Sequence, residues 1–297
     1  MSEEGIVIGV SSARCRLFLG GREVDCVVPS AIAKRQRSAL AVGDRVTAEP
    51  VEATLWRLIE ILPRRTVLSR PDPFNARVER LIAANIDLAV NVVSIKSPPL
   101  KPRLIDRFLI AIQRGGAQAA ICVNKIDLAD DRDAALQPLL TYEQLGVPLI
   151  PCSTKSGEGI DALRALIEGK TCAFVGHSGV GKSSILNALD VRLRLTTASV
   201  HEKHGTGRHT TTASTLIDLG DETYVIDTPG IREFGLWDIT PQALREAFPE
   251  FEEAAEWCRF NDCAHTHEPD CEVKKRVERG EINPARYEAY TRLAQEI

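Results

Sequence analysis

The segment GHSGVGKSS, residues 176–184, restricts the fold more than any other part of the chain. It fits the pattern G-x-x-x-x-G-K-[ST], following the strand-like run KTCAFVG and preceding the helix-like run SSILNAL. Its glycines let successive backbone N–H groups point towards phosphate oxygens. Lys182 is predicted to reach the outer phosphates, and the Ser183 hydroxyl to bind Mg²⁺. A chance match in a glycine-rich turn is disfavoured by the flanking elements, so the segment predicts a nucleotide-binding α/β domain.

A second phosphate-side segment is YVIDTPG, which places Asp227 at the end of a strand and Gly230 in the following turn. Asp227 is predicted to hold the Mg²⁺ shell, usually through water, and the Gly230 N–H to face the γ-phosphate. The polar stretch SVHEKHGTGRHTTTAS lies between the two phosphate segments and is predicted to be the first switch. A hydroxyl of Thr210, Thr211 or Thr212 would complete the Mg²⁺ shell; Thr211 is the predicted ligand.

Two earlier segments are predicted to read a guanine base. In NKID, the Asp127 carboxylate can accept hydrogen bonds from the guanine N1–H and amino group, while Asn124 braces the loop and Lys125 covers the base. A solvated turn is the alternative for four residues alone. The segment CSTKSGEG follows the next strand and resembles a loop whose backbone contacts the guanine oxygen, here at Ser153–Lys155. Together the two segments predict GTP or GDP as the ligand.

The guanine segments precede the phosphate segment, which is the reverse of the order in an ordinary GTPase. The chain is therefore predicted to be a circularly permuted GTPase. A P-loop ATPase or kinase is disfavoured by the guanine segments. The predicted nucleotide contacts are Asn124, Lys125, Asp127, Ser153, Thr154, Lys155, Gly176, His177, Ser178, Gly179, Val180, Gly181, Lys182, Ser183, Ser184, Thr211, Asp227 and Gly230.

The catalytic residue is less evident than the binding residues. Ras-like GTPases place a water-orienting glutamine after the glycine of the second switch, where this chain has Ile231. An isoleucine cannot polarise water, so slow intrinsic hydrolysis is expected unless another residue or a partner intervenes. His209, beside the switch threonines, is the candidate catalytic residue, with a structural or RNA-facing role as the alternative.

A cysteine-rich segment near the end of the sequence, CRFNDCAHTHEPDC, has the donors of a metal site. Cys258, Cys263, His265 and Cys271 provide three thiolates and one imidazole, which suit a closed, structural Zn²⁺ site. His267 is a competing fourth ligand, and a reduced, metal-free cluster is the alternative. The other cysteines lie mostly in apolar runs, where buried thiols are expected.

The remaining pattern predicts three parts. Residues 5–62 contain five short strand-like runs, which suit a small OB-type β-barrel. The stretch LPRRTVLSRPDPFN is predicted to be a linker, and strands then alternate with helices, including one over about 134–144. That alternation predicts a mostly parallel sheet with helices on both faces. After Trp237 the sequence becomes helical and acidic. The predicted domains are 1–65, 66–236 and 237–297, together a multidomain α/β protein.

Composition limits the partners and the location. Hydrophobic residues make up 44% of 297 and charged residues 26%, as in a soluble globular protein. No apolar run approaches the roughly 20 residues of a membrane helix, and the first residues lack the basic region of a signal peptide, so a cytoplasmic location is expected. The net charge of −4 shows no global basic field, and short runs such as KRQR are typical of solvated surface, so composition leaves RNA binding open.

The permuted motif order, the barrel, GTGRHTTT, DTPGIREF and the cysteine spacing together closely resemble the RsgA (YjeQ) family of circularly permuted GTPases. The resemblance covers nearly the whole chain. It implies GTP hydrolysis stimulated by the small ribosomal subunit late in its maturation. It also implies contacts of the barrel and zinc domain with the subunit and its rRNA, and participation of His209 in hydrolysis.

Two further expectations concern how the chain works. Because the second switch runs directly into the zinc domain, a γ-phosphate-dependent shift of Gly230 is expected to move that domain relative to the barrel, and so to change the affinity for the subunit. The alternative function is an RNA-binding GTP/GDP sensor whose hydrolysis is incidental, which Ile231 favours and His209 disfavours. The protein is expected to be a monomer.

Overall fold

The computed structural model describes residues 2–11, 14–30, 32, 40–52, 54–72, 75, 79–190, 192–193, 214–228 and 239–297. No helix within these ranges is both long and apolar enough to cross a bilayer. The strands of the described residues are β1 Glu3–Val10, β2 Arg14–Leu19, β3 Arg22–Val27, β4 Arg45–Pro50, β5 Leu55–Ile61, β6 Val67–Pro71, β7 Glu79–Ala84, β8 Leu88–Ser94, β9 Gln118–Asn124, β10 Leu149–Pro151, β11 Thr171–Val175, β12 Thr215–Gly220 and β13 Thr223–Asp227.

The α-helices of the described residues are short apart from the first and the last. They are α1 Pro102–Arg114, α2 Arg132–Leu136, α3 Leu140–Gln144, α4 Ile160–Ile167, α5 Lys182–Leu189, α6 Pro241–Glu246, α7 Glu252–Ala255, α8 Glu272–Glu278 and α9 Pro284–Ala294. The helix expected over 134–144 is interrupted at Pro138 by a 3₁₀ turn between α2 and α3. Proline has no N–H to donate and its ring crowds the preceding turn, which explains the break.

Strands β1 to β5 form the predicted N-terminal barrel. β1 pairs with β2 and with β4, β2 pairs with β3, and β5 pairs with both β3 and β4, so the strand pairing closes on itself. In β2, burial alternates so that Cys15, Leu17 and Leu19 point inward and the arginines outward. This alternation follows from the two-residue repeat of a strand, and it gives the barrel its own apolar interior.

The linker predicted over LPRRTVLSRPDPFN is wrong in part. Val67–Pro71 forms β6, which pairs antiparallel with β7 in a small separate sheet. Leu68 is fully buried against the central domain, and the Thr66 hydroxyl donates to the Ile86 carbonyl at 2.6 Å. The segment is held in place because the side chain of the apolar Leu68 is buried.

The central sheet confirms the predicted mostly parallel α/β architecture. Its order is β10-β9-β8-β11-β13-β12, with parallel pairs except for the antiparallel β12–β13 edge. Helix α1 packs on one face through Phe108 and Ile112, and α4 and α5 pack on the other through residues such as Leu163 and Ile185. Strand β12 had no sequence-based prediction; it pairs with β1 at Thr215 and Gly9, which joins barrel and central sheet.

The C-terminal helices form a separate apolar cluster that also includes Ile110 of α1. A buried ion cluster reinforces this contact. Arg286 of α9 is paired with Asp106 of α1, and its Nε donates to Glu250 at 2.6 Å. The Tyr142 hydroxyl donates to the same Asp106 carboxylate at 2.9 Å. Burial raises the pKa of Asp106, and Arg286 and Tyr142 act against that rise.

We expect Tyr142→Phe to lower the free energy of unfolding by about 2 kcal/mol, the usual contribution of a hydrogen bond to a charged group. The change removes the donor to Asp106 and keeps the buried ring. Tyr224→Phe is the matched control, since the Tyr224 hydroxyl has no hydrogen-bond partner in the part of the chain that the structure describes. The urea midpoints of both variants check this; equal midpoints would contradict it.

Candidate nucleotide-binding site and metal centre

The predicted phosphate loop lies between β11 and α5. Gly176 and Gly181 have positive φ values, 141° and 99°. A Cβ atom at Gly181 would lie 2.2 Å from the Asn124 amide nitrogen, and one at Gly176 would lie 2.2 Å from the Val92 carbonyl oxygen. Only glycine fits both places, so the loop passes close to β8 and to the end of β9.

Lys182 and Asp227 are brought together at this loop. The Lys182 ammonium donates to the Gly176 carbonyl at 2.7 Å, so it lies folded against the loop. Burial lowers the pKa of Lys182, and Asp227 acts against this; burial raises the pKa of Asp227, and Lys182 acts against that. Both charges are poorly solvated, which favours the approach of polyphosphate and a cation.

The end of β13 is fixed to the phosphate-loop strand. Thr228, directly after Asp227, is buried, and its hydroxyl donates to the Phe174 carbonyl of β11 at 2.7 Å. The parallel pairing of β11 with β13 also places Asp227 opposite Phe174. These contacts fix Asp227 opposite Phe174, which lies two residues before the first glycine of the phosphate loop. Thr228 was not predicted from the sequence, although its place directly after a strand-end carboxylate could have indicated it.

The first guanine segment contacts the phosphate loop directly. Asn124, at the end of β9, is buried and donates from its amide nitrogen to the Val180 carbonyl at 2.8 Å. Lys125 has a left-handed backbone with φ of 61°, and its ammonium donates to the Gly179 carbonyl at 2.8 Å and to the Ser97 carbonyl. The segments NKID and GHSGVGKSS, distant in the sequence, therefore form one continuous site. The Ser97 contact was not predicted; the SPP run could have indicated a turn there.

The second guanine segment positions Asp127. The Ser153 hydroxyl is buried and donates to Asp127 Oδ1 at 2.7 Å, and it accepts from the Lys155 N–H at 3.2 Å. Thr154 is half-buried and Lys155 is exposed. Ser153 therefore orients the Asp127 carboxylate and holds its own loop, whereas Thr154 and Lys155 are more accessible to solvent.

The predicted switch residues His209, Thr211, Gly230 and Ile231 lie outside the described residues. The other predicted nucleotide contacts lie at the ends of β9 and β13, on the loops after β9, β10 and β11, and at the start of α5. Because parallel strands end on the same edge of a sheet, the ends of these four strands bring the contacts together at one edge.

The cysteine-rich segment brings its four predicted ligands together. One donor atom each from Cys258, Cys263, His265 and Cys271 lies within 4.8 Å of all the others. The Cys258 and Cys271 sulfurs lie 3.6 and 3.5 Å from His265 Nδ1. The side chain of His267, the competing ligand, is 86% exposed, and its Nε2 lies 4.0 Å from Glu268 Oε1. His267 is not part of the cluster of possible metal ligands among the described residues.

The residues around the cluster hold its backbone. Tyr287 donates to the His265 carbonyl at 2.8 Å, and Tyr290 to the Ala264 carbonyl at 2.9 Å. Burial acts to raise the pKa of Glu268, but the backbone N–H groups of Ala264 and Thr266 outweigh it and lower that pKa to about 2. Hydrogen bonds from outside the ligand set fix ligand orientation, as at established metal sites.

The donor chemistry fits a metal ion. Burial raises the pKa of the Cys263 thiol to about 12, and the neighbouring thiols add to this rise. Three thiols packed so closely carry no compensating positive charge of their own, whereas a divalent cation would favour the thiolate forms. The cluster could therefore hold a metal ion.

With the geometry established, the chain can be compared with known proteins. The model of the family described as RsgA GTPase matches residues 61–237. This chain belongs to the RsgA GTPase family. The protein named small ribosomal subunit biogenesis GTPase RsgA from Chlorobaculum parvum is 40% identical over 304 residues, covering 99% of this chain and 97% of that protein. Its namesake from Gemmatimonas aurantiaca is 41% identical over 262 residues, with 87% and 84% covered.

Two solved structures extend the family comparison to the fold. The crystal structure of YjeQ from Thermotoga maritima matches with a TM-score of 0.80 and 32% identity, covering 100% of this chain and 98% of that chain. The structure of YloQ, described as a circularly permuted GTPase, matches with a TM-score of 0.74 and 28% identity, covering 100% and 95%. The RsgA fold predicted from the sequence, with its barrel, permuted GTPase domain and C-terminal helical region, is confirmed.

Proposed function

We propose that this RsgA-family GTPase acts in late maturation of the small ribosomal subunit, and that the subunit stimulates its hydrolysis of GTP. The observation that carries the proposal is the likeness, over nearly the whole chain, to proteins named for small ribosomal subunit biogenesis. The family model covers only the GTPase region, whereas these relatives also cover the barrel and the C-terminal helices.

The nucleotide is held by the eighteen contacts predicted from the sequence. Asp127 reads the guanine edge, supported by its bond from Ser153, and Asn124 couples this loop to the phosphate loop. Lys182 moves from the Gly176 carbonyl to the phosphates when nucleotide binds. Ser183 and Thr211 ligate Mg²⁺, with Asp227 in its outer shell.

The bound metal of the C-terminal cluster is one Zn²⁺. Three sulfur donors and one nitrogen donor match the ligands that Zn²⁺ prefers, and four protein ligands leave no open coordination position. The ion is therefore structural: it holds the loop between α7 and α8 against the C-terminal helices.

The domains are proposed to be 1–65, 66–236 and 237–297, each with an apolar cluster of its own. The segment after Asp227 leads directly into the C-terminal region, so a nucleotide-dependent shift is transmitted there. The partners are the small subunit and its rRNA, and the protein acts as a cytoplasmic monomer. Equal subunit affinities with GDP and a non-hydrolysable GTP analogue would rule out the transmission, because a ligand without differential affinity shifts nothing.

The decisive experiment is single-turnover GTP hydrolysis with and without purified small subunits. We expect the subunits to accelerate hydrolysis, and His209→Ala to lower the stimulated rate by about a hundredfold, the lower range for loss of a catalytic proton-transfer group. GTP affinity should stay within about threefold, because His209 is not among the proposed nucleotide contacts.

The control for this experiment is the wild type with large ribosomal subunits added in place of small ones. The large subunit tests for general ribosome effects. Hydrolysis that small subunits leave unchanged would favour the alternative function, an RNA-binding GTP/GDP sensor. Full stimulation in His209→Ala would instead show that another group activates the water.

A further inference from the structure

Two exposed aromatic residues, Trp257 and Phe260, lie on the loop between α7 and α8, and we call them the aromatic surface. Trp257 is 72% exposed, more than any other large apolar residue that the structure describes, and Phe260 is 39% exposed. The Trp257 side chain has no hydrogen bond or ring contact with another described residue. Tryptophan is enriched among the residues that dominate binding at protein interfaces, because a partner that covers it buries a large apolar area. The aromatic surface is therefore a candidate docking surface.

The backbone beneath the aromatic surface is held in place. The Trp257 N–H donates to the Ala254 carbonyl at 3.1 Å, and the Cys263 N–H donates to the Phe260 carbonyl at 3.2 Å. Cys258 and Cys263, which enclose Phe260 in the sequence, both belong to the cysteine cluster. A surface on a fixed backbone loses little conformational freedom when a partner binds, which favours binding.

Most cations near the aromatic surface already have partners. The three arginines of residues 250–281 all lie in ion pairs, which are Arg259–Asp270 at 3.2 Å, Arg276–Glu253 at 3.1 Å and Arg279–Glu281 at 2.6 Å. The Lys274 ammonium donates to the Glu268 carbonyl at 2.6 Å. Proteins bind the phosphates of RNA mainly through lysine and arginine side chains that are free to reach them. This part of the chain therefore offers little to an RNA backbone.

Carboxylates are in excess around the aromatic surface. Residues 250–281 contain ten acidic and five basic residues. Glu256 directly precedes Trp257, and Asp262 lies two positions after Phe260; both are exposed, and neither side chain has an ion pair or hydrogen bond among the described residues. The face of an indole ring attracts ammonium and guanidinium groups, and carboxylates beside it add to that attraction. The charge of the surface therefore complements a cationic partner.

We propose that the aromatic surface, together with Glu256 and Asp262, binds an extended lysine- and arginine-rich segment of a partner protein. One cation of the segment lies over the Trp257 indole, and neighbouring cations pair with the two carboxylates. RNA is the less suitable occupant, because its phosphates would face these carboxylates. The proposal goes beyond the ribosomal role and does not rest on it, since the surface is recognised by its charge and its aromatic rings alone.

The test uses the full-length protein loaded with GDP and a capped peptide of alternating arginine and glycine as the probe. In NMR spectra, the peptide should shift the indole N–H signal of Trp257 and leave that of the buried Trp56 in place. Trp257→Ala should weaken peptide binding by about fivefold, the usual effect of losing an exposed cation–π contact, and Trp257→Phe should weaken it less. Leu140→Ala is the matched control, since Leu140 is an exposed apolar residue of α3, and it should bind like the wild type.

The carboxylates are tested separately. Glu256→Gln should weaken peptide binding by about threefold, within the range for an exposed ion pair. Glu143→Gln, at an exposed glutamate of α3, is the matched control and should bind like the wild type.

Three results would overturn the proposal. The first is a Trp257 signal that does not move at millimolar peptide, and the second is equal peptide affinity of the wild type and Trp257→Ala. The third is a single-stranded oligouridine that shifts the Trp257 signal at a lower concentration than the peptide does, since RNA would then be the occupant. The first and third results are measured on the wild type and do not depend on how the variants fold.

Discussion

Asp127→Asn is expected to weaken GTP binding by about ten-thousandfold, the lower end of the discrimination seen where a site loses a hydrogen bond that it was built to make. In the proposed guanine contact, the Asp127 carboxylate accepts from both guanine donors, N1–H and the 2-amino group. An amide keeps one acceptor and places an N–H group against the 2-amino group, so two donors face each other. The bond from Ser153 to Oδ1 holds the side chain in this orientation.

The same change should improve binding of xanthosine triphosphate. Xanthine has a carbonyl where guanine has the 2-amino group, so the new amide N–H can donate to it. Competition with a fluorescent GDP analogue would give both affinities. Asp130→Asn is the matched control: Asp130 lies in the same loop with a side chain 88% exposed, and its pair with Lys96 is at the surface. GTP affinity within about threefold of the wild type in Asp127→Asn would exclude Asp127 as the guanine reader.

Cys271→Ser is expected to remove the metal and unfold the C-terminal helical region. Serine keeps the size of the side chain but is a poor Zn²⁺ ligand, and the remaining three donors leave the site incomplete. Metal-binding free energy, about 10–16 kcal/mol in small zinc domains, is also folding free energy there. The free energy that is lost with the metal exceeds the free energy of unfolding expected for a region of this size.

Elemental analysis and circular dichroism would measure this result together. We expect about one zinc per chain in the wild type, close to none in Cys271→Ser, and a loss of helical signal in the variant. His267→Gln is the matched control, since His267 lies beside the cluster with its side chain exposed. A full complement of zinc in Cys271→Ser, or its loss in His267→Gln, would change the proposed ligand set.

The sequence was most informative where chemistry requires a fixed residue at a fixed place. The phosphate and guanine segments, the metal ligands and the alternation of strands and helices all have local patterns, because glycine turns, carboxylates and thiols have few substitutes. Asp127 and the Cys258 cluster could therefore be assigned without the structure. Their roles in ligand binding remain predictions.

Features that depend on contacts distant in sequence could not be predicted. Strand β12 was not predicted, although TLIDLG is an apolar run that ends at a glycine just before β13; its pairing with the distant β1 has no local signal. Asn124 was expected to brace the loop, but its partner, the Val180 carbonyl fifty-six residues later, had no sequence signal. The pairing of Arg286 with Asp106 spans 180 residues, and neither side chain has a local signal of burial.

The strand order also determines which parts of the site wait for their partners while a ribosome synthesises the chain. Strand β8 is synthesised together with β9 and β10, yet its other neighbour, β11, begins at residue 171, long after β8 ends at residue 94. At bacterial rates of about 5–20 residues per second, that interval is roughly 4–15 s. During it, the half-sheet that carries the guanine loops has a bare hydrogen-bonding edge at its most buried strand. Because of the permutation, the nascent chain carries the unpaired edge of β8 until β11 has been made. In the unpermuted order, which starts with the phosphate-loop strand, the edge of a different strand would wait for its partner.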